Sequence, residues 1–147
     1  MPSQEADKLF VKGLNALTQG RTLSALSWFE KAVSLEPTPL YISYFAYCIA
    51  KERGQFKKAR SLCEESIRQD SGNSAHYLNL GKILLLTGNK EEAVKVFREG
   101  LGYENNTTIV AELDRLITRK PPVLPFLERE NLLNKYVGFV LTKLGIR

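Results

Sequence analysis

Apolar residues along this chain recur at helical spacing, in paired stretches with a glycine between the members of each pair. Leu9, Phe10, Leu14 and Leu17 stand at i, i+1, i+5 and i+8, one stripe of an amphipathic helix. Gly20 permits a tight turn, and Leu23, Leu26, Phe29, Val33 and Leu35 mark a second helix that Pro37 and Pro39 bring to an end. The pattern then returns at a fixed interval of 34 residues. Gly20, Gly54 and Gly88 share one column; Ala25, Ala59 and Ala93 another. Phe29, Cys63 and Phe97 form a third, Gly13, Tyr47 and Gly81 a fourth, and Ala32, Ser66 and Gly100 a fifth. A gap-free register of this kind predicts three helical hairpins, over 6–39, 40–73 and 74–107. Breaks between helices are expected at about 19–21, 36–39, 53–55, 71–73, 87–89, 103–106 and 119–128. Asn89 followed by Glu92 predicts a reciprocal cap at the start of the last second helix.

The columns of small and large residues have a mechanical cause. Two antiparallel helices approach closely only where one of them presents small side chains. Alanines at 25, 59 and 93 supply that space, and aromatics at 29 and 97 fill the volume beside it. The second hairpin departs, with Tyr47 where the others have glycine and Cys63 where they have phenylalanine. These two are expected to be neighbours, the large ring compensating for the small thiol. One hairpin cannot bury its own apolar face, so successive hairpins are expected to stack and share a core.

These residues resemble the tetratricopeptide repeat family, whose 34-residue motif is marked by the same small, aromatic and proline positions. The resemblance rests on Gly13, Gly20, Ala25, Phe29, Ala32 and Pro37 in the first hairpin. In the third it rests on Tyr77, Leu80, Gly81, Gly88, Ala93 and Phe97. It implies an all-α fold, an α-solenoid of three helix-turn-helix repeats followed by capping helices. It also implies that the first helices of successive repeats line a concave groove holding an extended peptide or a helix. The matching positions are Asp7, Phe10, Leu14 and Leu17, then Tyr41, Tyr44, Cys48, Lys51 and Glu52, then Ala75, Leu78, Lys82, Leu85 and Leu86. Phe10, Leu14, Leu17, Tyr41, Tyr44, Cys48, Leu78, Lys82 and Leu85 are the expected peptide-binding residues, with Tyr44 an anchor whose loss would spare the melting temperature. A subset of the family grips a terminal carboxylate with cationic and amide side chains. The matching positions here are Phe10, Leu14, Phe45, Ala75 and Asn79, none of them a cation, which disfavours a receptor for chaperone tails.

After the repeats, 108–118 reads as one more helix, with Ile109, Val110, Leu113, Leu116 and Ile117 along one side, so that the repeat domain is expected over 1–119. Residues 120–147 form a separate stretch. Pro121, Pro122 and Pro125 forbid a helix there, and 130–144 carries a broad apolar stripe from Leu132 to Leu144. The expectation is a cap packed on 108–118 that completes the solenoid.

Composition narrows the function. The net charge is +5 on 147 residues, with no basic run. Residues 1–107 hold 14 Lys/Arg against 12 Asp/Glu and 108–147 hold 7 against 4, so the excess leans toward the C-terminus. Phosphate neutralisation along a nucleic acid wants a denser stripe, and nucleic acid is disfavoured as a partner. Cys48 and Cys63, the two cysteines, lack metal-ligand spacing and read as free thiols of a reducing compartment. The first residues carry no signal-peptide pattern and no stretch is long enough to span a bilayer, so the expected location is cytoplasmic, with no membrane partner. His76, the lone histidine, is expected at the surface or half-buried, and no catalytic motif occurs. The reading is therefore neither an enzyme nor a cofactor protein but a protein–protein interaction module, a scaffold or adaptor that takes an apolar peptide or helix of a protein partner. The alternative is a structural, self-associating module, with its groove filled by its own tail or that of a neighbouring copy in a homo-oligomer.

Overall fold

The computed structural model describes residues 3–118, which form seven α-helices and no strand. They are α1 (Gln4–Thr18), α2 (Thr22–Leu35), α3 (Pro39–Arg53), α4 (Phe56–Gln69), α5 (Ser74–Leu86), α6 (Lys90–Leu101) and α7 (Thr107–Thr118). The six breaks between them lie within one residue of those the periodicity predicts. The chain divides into two units between Ile109 and Val110, inside α7. The first holds the three hairpins, and of the second only 110–118 are described. The proline-rich segment and the helix expected over 130–144, with its packing against 108–118, lie outside the described residues.

The hairpins form where the sequence punctuates them. Gly20, Gly54 and Gly88 sit at φ +74°, +67° and +82°, a left-handed turn that a Cβ would strain. Each first helix begins with a side-chain cap: Ser3 Oγ accepts from the Ala6 amide at 3.1 Å, Thr38 Oγ1 from Tyr41 at 3.2 Å and Asn73 Oδ1 from Ala75 at 3.0 Å. The second helices α2, α4 and α6 begin at Arg21, Gln55 and Asn89 with no such bond. The reciprocal cap expected of Asn89 and Glu92 is therefore not formed. Asn89 Nδ2 donates instead to Thr87 Oγ1 at 2.9 Å, and the Glu92 carboxylate is taken by Arg60, which also pairs with Glu64. Arg60 thus ties α4 to α6, using a guanidinium that presents donors in two directions.

Inside each hairpin, α1 packs on α2, α3 on α4 and α5 on α6. Ala25, Ala59 and Ala93 are fully buried, as are Phe29, Cys63 and Phe97. A Cβ placed on Gly13 would lie 2.3 Å from the Phe29 ring, and one on Gly81 would lie 2.1 Å from the Phe97 ring. Glycine is there so that a full aromatic ring can lie flat on the helix backbone. By the 34-residue register, Tyr47 carries the Cβ that would meet a ring at 63, and that position holds a cysteine. A Cys63→Phe chain should accordingly lose about 1–3 kcal/mol through overpacking, and Tyr47→Gly in the same chain should restore most of it. Chemical denaturation of the two single variants and the double variant measures this. Additive losses would show the two positions to be uncoupled.

The hairpins stack through α3, which lies against α2 on one side and α5 on the other, with α5 also against α4. His76, expected at the surface, is fully buried in this seam. It is accepted there because polar groups on the neighbouring elements meet both ring nitrogens. Ser43 Oγ lies 3.0 Å from Nδ1 and Asp70 Oδ2 lies 3.1 Å from Nε2.

Candidate functional site

The nine side chains expected to bind a peptide all lie on the first helices α1, α3 and α5, and they differ in exposure. Phe10, Tyr41, Cys48 and Leu78 are floor: they are 6%, 2%, 0% and 5% exposed. Leu14, Leu17, Tyr44, Lys82 and Leu85 stand above them, partly exposed. Residues this buried offer a ligand little surface, and for two of them the cover is each other. The Phe10 and Tyr41 rings are 4.7 Å apart between centroids, and Phe10 also meets Phe29 at 5.5 Å. Tyr44 belongs to both depths, since its ring lies 5.4 Å from Phe10 and 5.6 Å from Phe29 while one edge reaches solvent. Burial raises the pKa of its phenol, which stays protonated.

Charge on this face is sparse. Lys82 Nζ sits 4.1 Å from the centroid of the Tyr47 ring, a cation over a π face. Beneath it the Cys48 thiol is pushed up to about 12, by burial first, with Lys82 acting the other way and Glu52 adding to the rise. Burial also raises the Cys63 thiol, which donates weakly to the Ser43 carbonyl at 3.7 Å. Both cysteines are free and protonated, so neither is a nucleophile or a ready metal ligand.

Below the face lies a polar seam that the periodicity did not reveal. Ser43, His76 and Asn79 are 0% exposed. Asn79 Nδ2 donates to Ser43 Oγ at 3.3 Å and to the Ala75 carbonyl at 3.0 Å, while its Oδ1 has no partner. The Ser43 hydroxyl proton can serve either the Leu40 carbonyl at 3.1 Å or His76 Nδ1 at 3.0 Å. With the carboxylate of Asp70 beside Nε2, a neutral imidazole keeps its proton on Nε2 and accepts from Ser43. The order Asp70–His76–Ser43 has the residue types of a hydrolytic triad, but the serine and the ring are closed off from any substrate, and the arrangement joins repeats. One signal in the sequence pointed here: Ser43 is the polar member of the column Leu9, Ser43, Tyr77. Among the described residues no group of three or more His, Cys, Asp or Glu could hold a metal ion, and no helix is long and apolar enough to cross a membrane.

Residues 50–116 match the family described as tetratricopeptide repeat. The match covers 67 of the 147 residues, and the three stacked hairpins have the all-α solenoid fold of that repeat. The chain's fold is also that of solved domains. The Sgt2 TPR domain from Aspergillus fumigatus superposes with a TM-score of 0.60 at 24% identity, over 78% of each chain. The first TPR of Spaghetti (RPAP3), solved bound to the HSP90 peptide SRMEEVD, gives 0.60 at 24% identity over 79% of this chain and 95% of that one. The translocator chaperone SycD of type III secretion in Yersinia enterocolitica, solved as an alternative dimer, gives 0.57 at 18% identity over 78% and 92%. Likeness at these identities is likeness of fold.

Proposed function

We propose that this chain is a protein-interaction module that holds an apolar peptide or helix against the face of α1, α3 and α5. The observation that carries the reading is the partly exposed row Leu14, Leu17, Tyr44 and Leu85, set on a buried aromatic and aliphatic floor. Apolar side chains backed by a rigid floor give an occupant somewhere to bury its own apolar surface, at about 25 cal/mol for each Å² removed from water. The fold supports the reading too, since one chain that shares it was solved with a peptide bound.

The occupant differs from an acidic tail gripped by its terminus. The positions matching a carboxylate clamp hold Phe10, Leu14, Phe45, Ala75 and Asn79. Phe10 is packed among rings, and the Asn79 amide is committed to Ser43 and Ala75. No cation stands where a carboxylate would need one.

The choice of test residue follows from depth. Tyr44→Ala strips packing from Phe10 and Phe29 as well as from the face, so it should lower both melting temperature and binding. Leu85→Ser and Leu14→Ser touch the exposed row alone. Partner captured from a lysate and identified by mass spectrometry should bind the Leu14→Ser/Leu85→Ser chain at least tenfold more weakly, with melting shifted by only a few degrees. Unchanged affinity would remove the face as the binding site. A concentration-dependent dimer in sedimentation, broken by the same two substitutions, would assign the face to a second copy of the chain instead.

A further inference from the structure

The outer side of the first hairpin carries a second feature that the α1, α3, α5 face does not explain. In the second and third hairpins the column at 49 and 83 holds isoleucine, and the neighbouring column at 50 and 84 holds Ala50 and Leu84. These residues are 0–1% exposed, and Ile83, Leu84 and Thr87 border a cleft with Phe56, Lys57 and Arg60 of the preceding hairpin. The first hairpin has no hairpin packed there among the described residues. Its residues in the matching columns are Lys12, Asn15 and Gln19 in place of Ala46, Ile49 and Arg53. With Ala16, Arg21, Ser24 and Trp28 they line a cleft of about 190 Å³ between α1 and α2.

The charges in this cleft are of one sign. Lys12 Nζ lies 4.7 Å from the centroid of the Trp28 ring, and Lys31 Nζ lies 4.9 Å from it. Among the described residues the Arg21 guanidinium donates only to the neutral Gln19 amide oxygen, at 3.3 Å. No carboxylate lines the cleft, and among the described residues none lies within ion-pair distance of Lys12, Lys31 or Arg21. Lys31 does not line the cleft; Lys12 and Arg21 do, and neither has an acidic partner there. An anion in the cleft meets these two cations and the polar side chains of Asn15, Gln19 and Ser24. The cleft has room for one carboxylate or phosphate group.

We propose that this cleft is a second binding site, for an oxyanion borne on a peptide: a glutamate- or aspartate-rich stretch, or a phosphorylated serine or threonine. At about 100° per residue, Lys12, Asn15 and Gln19 fall on the side of α1 opposite Phe10, Leu14 and Leu17. The site is therefore separate from the apolar face and stands or falls without it.

Trp28 is the one tryptophan of the chain, so its fluorescence reads this cleft directly. The full chain is titrated with three versions of one unstructured peptide carrying four consecutive glutamates, two phosphoserines, or four glutamines. The expected result is a saturable change in emission with an acidic version and none with the glutamine version. Whichever acidic version binds tighter names the source of the oxyanion. In Lys12→Gln/Arg21→Gln, whose substitutions are both on exposed positions, the midpoint concentration should rise at least tenfold with the circular-dichroism spectrum unchanged. Leu14→Ser/Leu85→Ser should leave the midpoint where it was. No saturable change, an equal response to the glutamine peptide, or a midpoint indifferent to Lys12 and Arg21 each overturns the proposal. So does tighter binding of single-stranded RNA than of either acidic peptide.

Discussion

A Gly81→Tyr chain should be less stable by about 3 kcal/mol, the upper end of what overpacking a core costs. The reason is geometric and does not depend on where the new ring points. A Cβ at 81 is fixed by the backbone, and it would lie 2.1 Å from one carbon of the Phe97 ring and 2.5 Å from another. Phe97 is fully buried, so either α5 and α6 separate or the ring leaves its rotamer. Replacing a glycine inside a helix returns roughly 0.5–1 kcal/mol through lower chain entropy, too little to change the sign. Gly81→Tyr/Phe97→Cys installs in the third hairpin the residues that the second has at 47 and 63, and should recover most of the loss. Urea denaturation of the four chains decides the matter. A single variant as stable as the parent would mean that the hairpin can open at no cost, and that the small-residue column does not set helix spacing.

The close approach of Gly13 to Phe29 and of Gly81 to Phe97 was open to sequence reasoning because it repeats. A column of glycine, tyrosine and glycine against a column of phenylalanine, cysteine and phenylalanine shows which positions share volume. The helices, their turns and the alanine columns were legible for the same reason: each follows from a period sampled three times. Depth was not. Family register puts Phe10, Tyr41, Cys48 and Leu78 in one set with Leu14, Tyr44 and Leu85, whereas the structure buries the first four and leaves the other three partly exposed. Packing between helices decides which of them solvent reaches. Lys12, Trp28 and Lys31 escaped for a different reason, since a cation over an indole has no spacing rule in sequence. The cap at Asn89 failed because Glu92 had a better partner in Arg60, a residue of another hairpin that a local motif cannot take into account.

The polar seam was the least legible part, and it gives the second large effect. Ser43→Ala removes the one side chain that both His76 Nδ1 and Asn79 Nδ2 face across the α3–α5 contact. Each buried polar atom left without a partner costs about 1–3 kcal/mol, so a loss of about 2 kcal/mol or more is expected. Acid should act on the same seam. Burial, the largest influence, lowers the pKa of His76 below its ordinary value near 6.5, and Asp70 offsets only part of that. Because the unfolded chain then binds the proton more readily than the folded one, stability is full above about pH 6.5 and falls as pH drops toward the folded value. Asp70→Asn removes the offsetting carboxylate, lowers the folded value further and should steepen the acid loss. His76→Gln should flatten the curve between pH 6.5 and the folded value, leaving only the shallower fall caused by carboxylates at lower pH. Denaturation free energies at half-unit steps from pH 7.5 to 4.5 would show this. A His76→Gln chain with the same acid limb as the parent would mean that the ring is charged or hydrated in the folded protein, and that the seam between the second and third hairpins is wetter than its burial indicates.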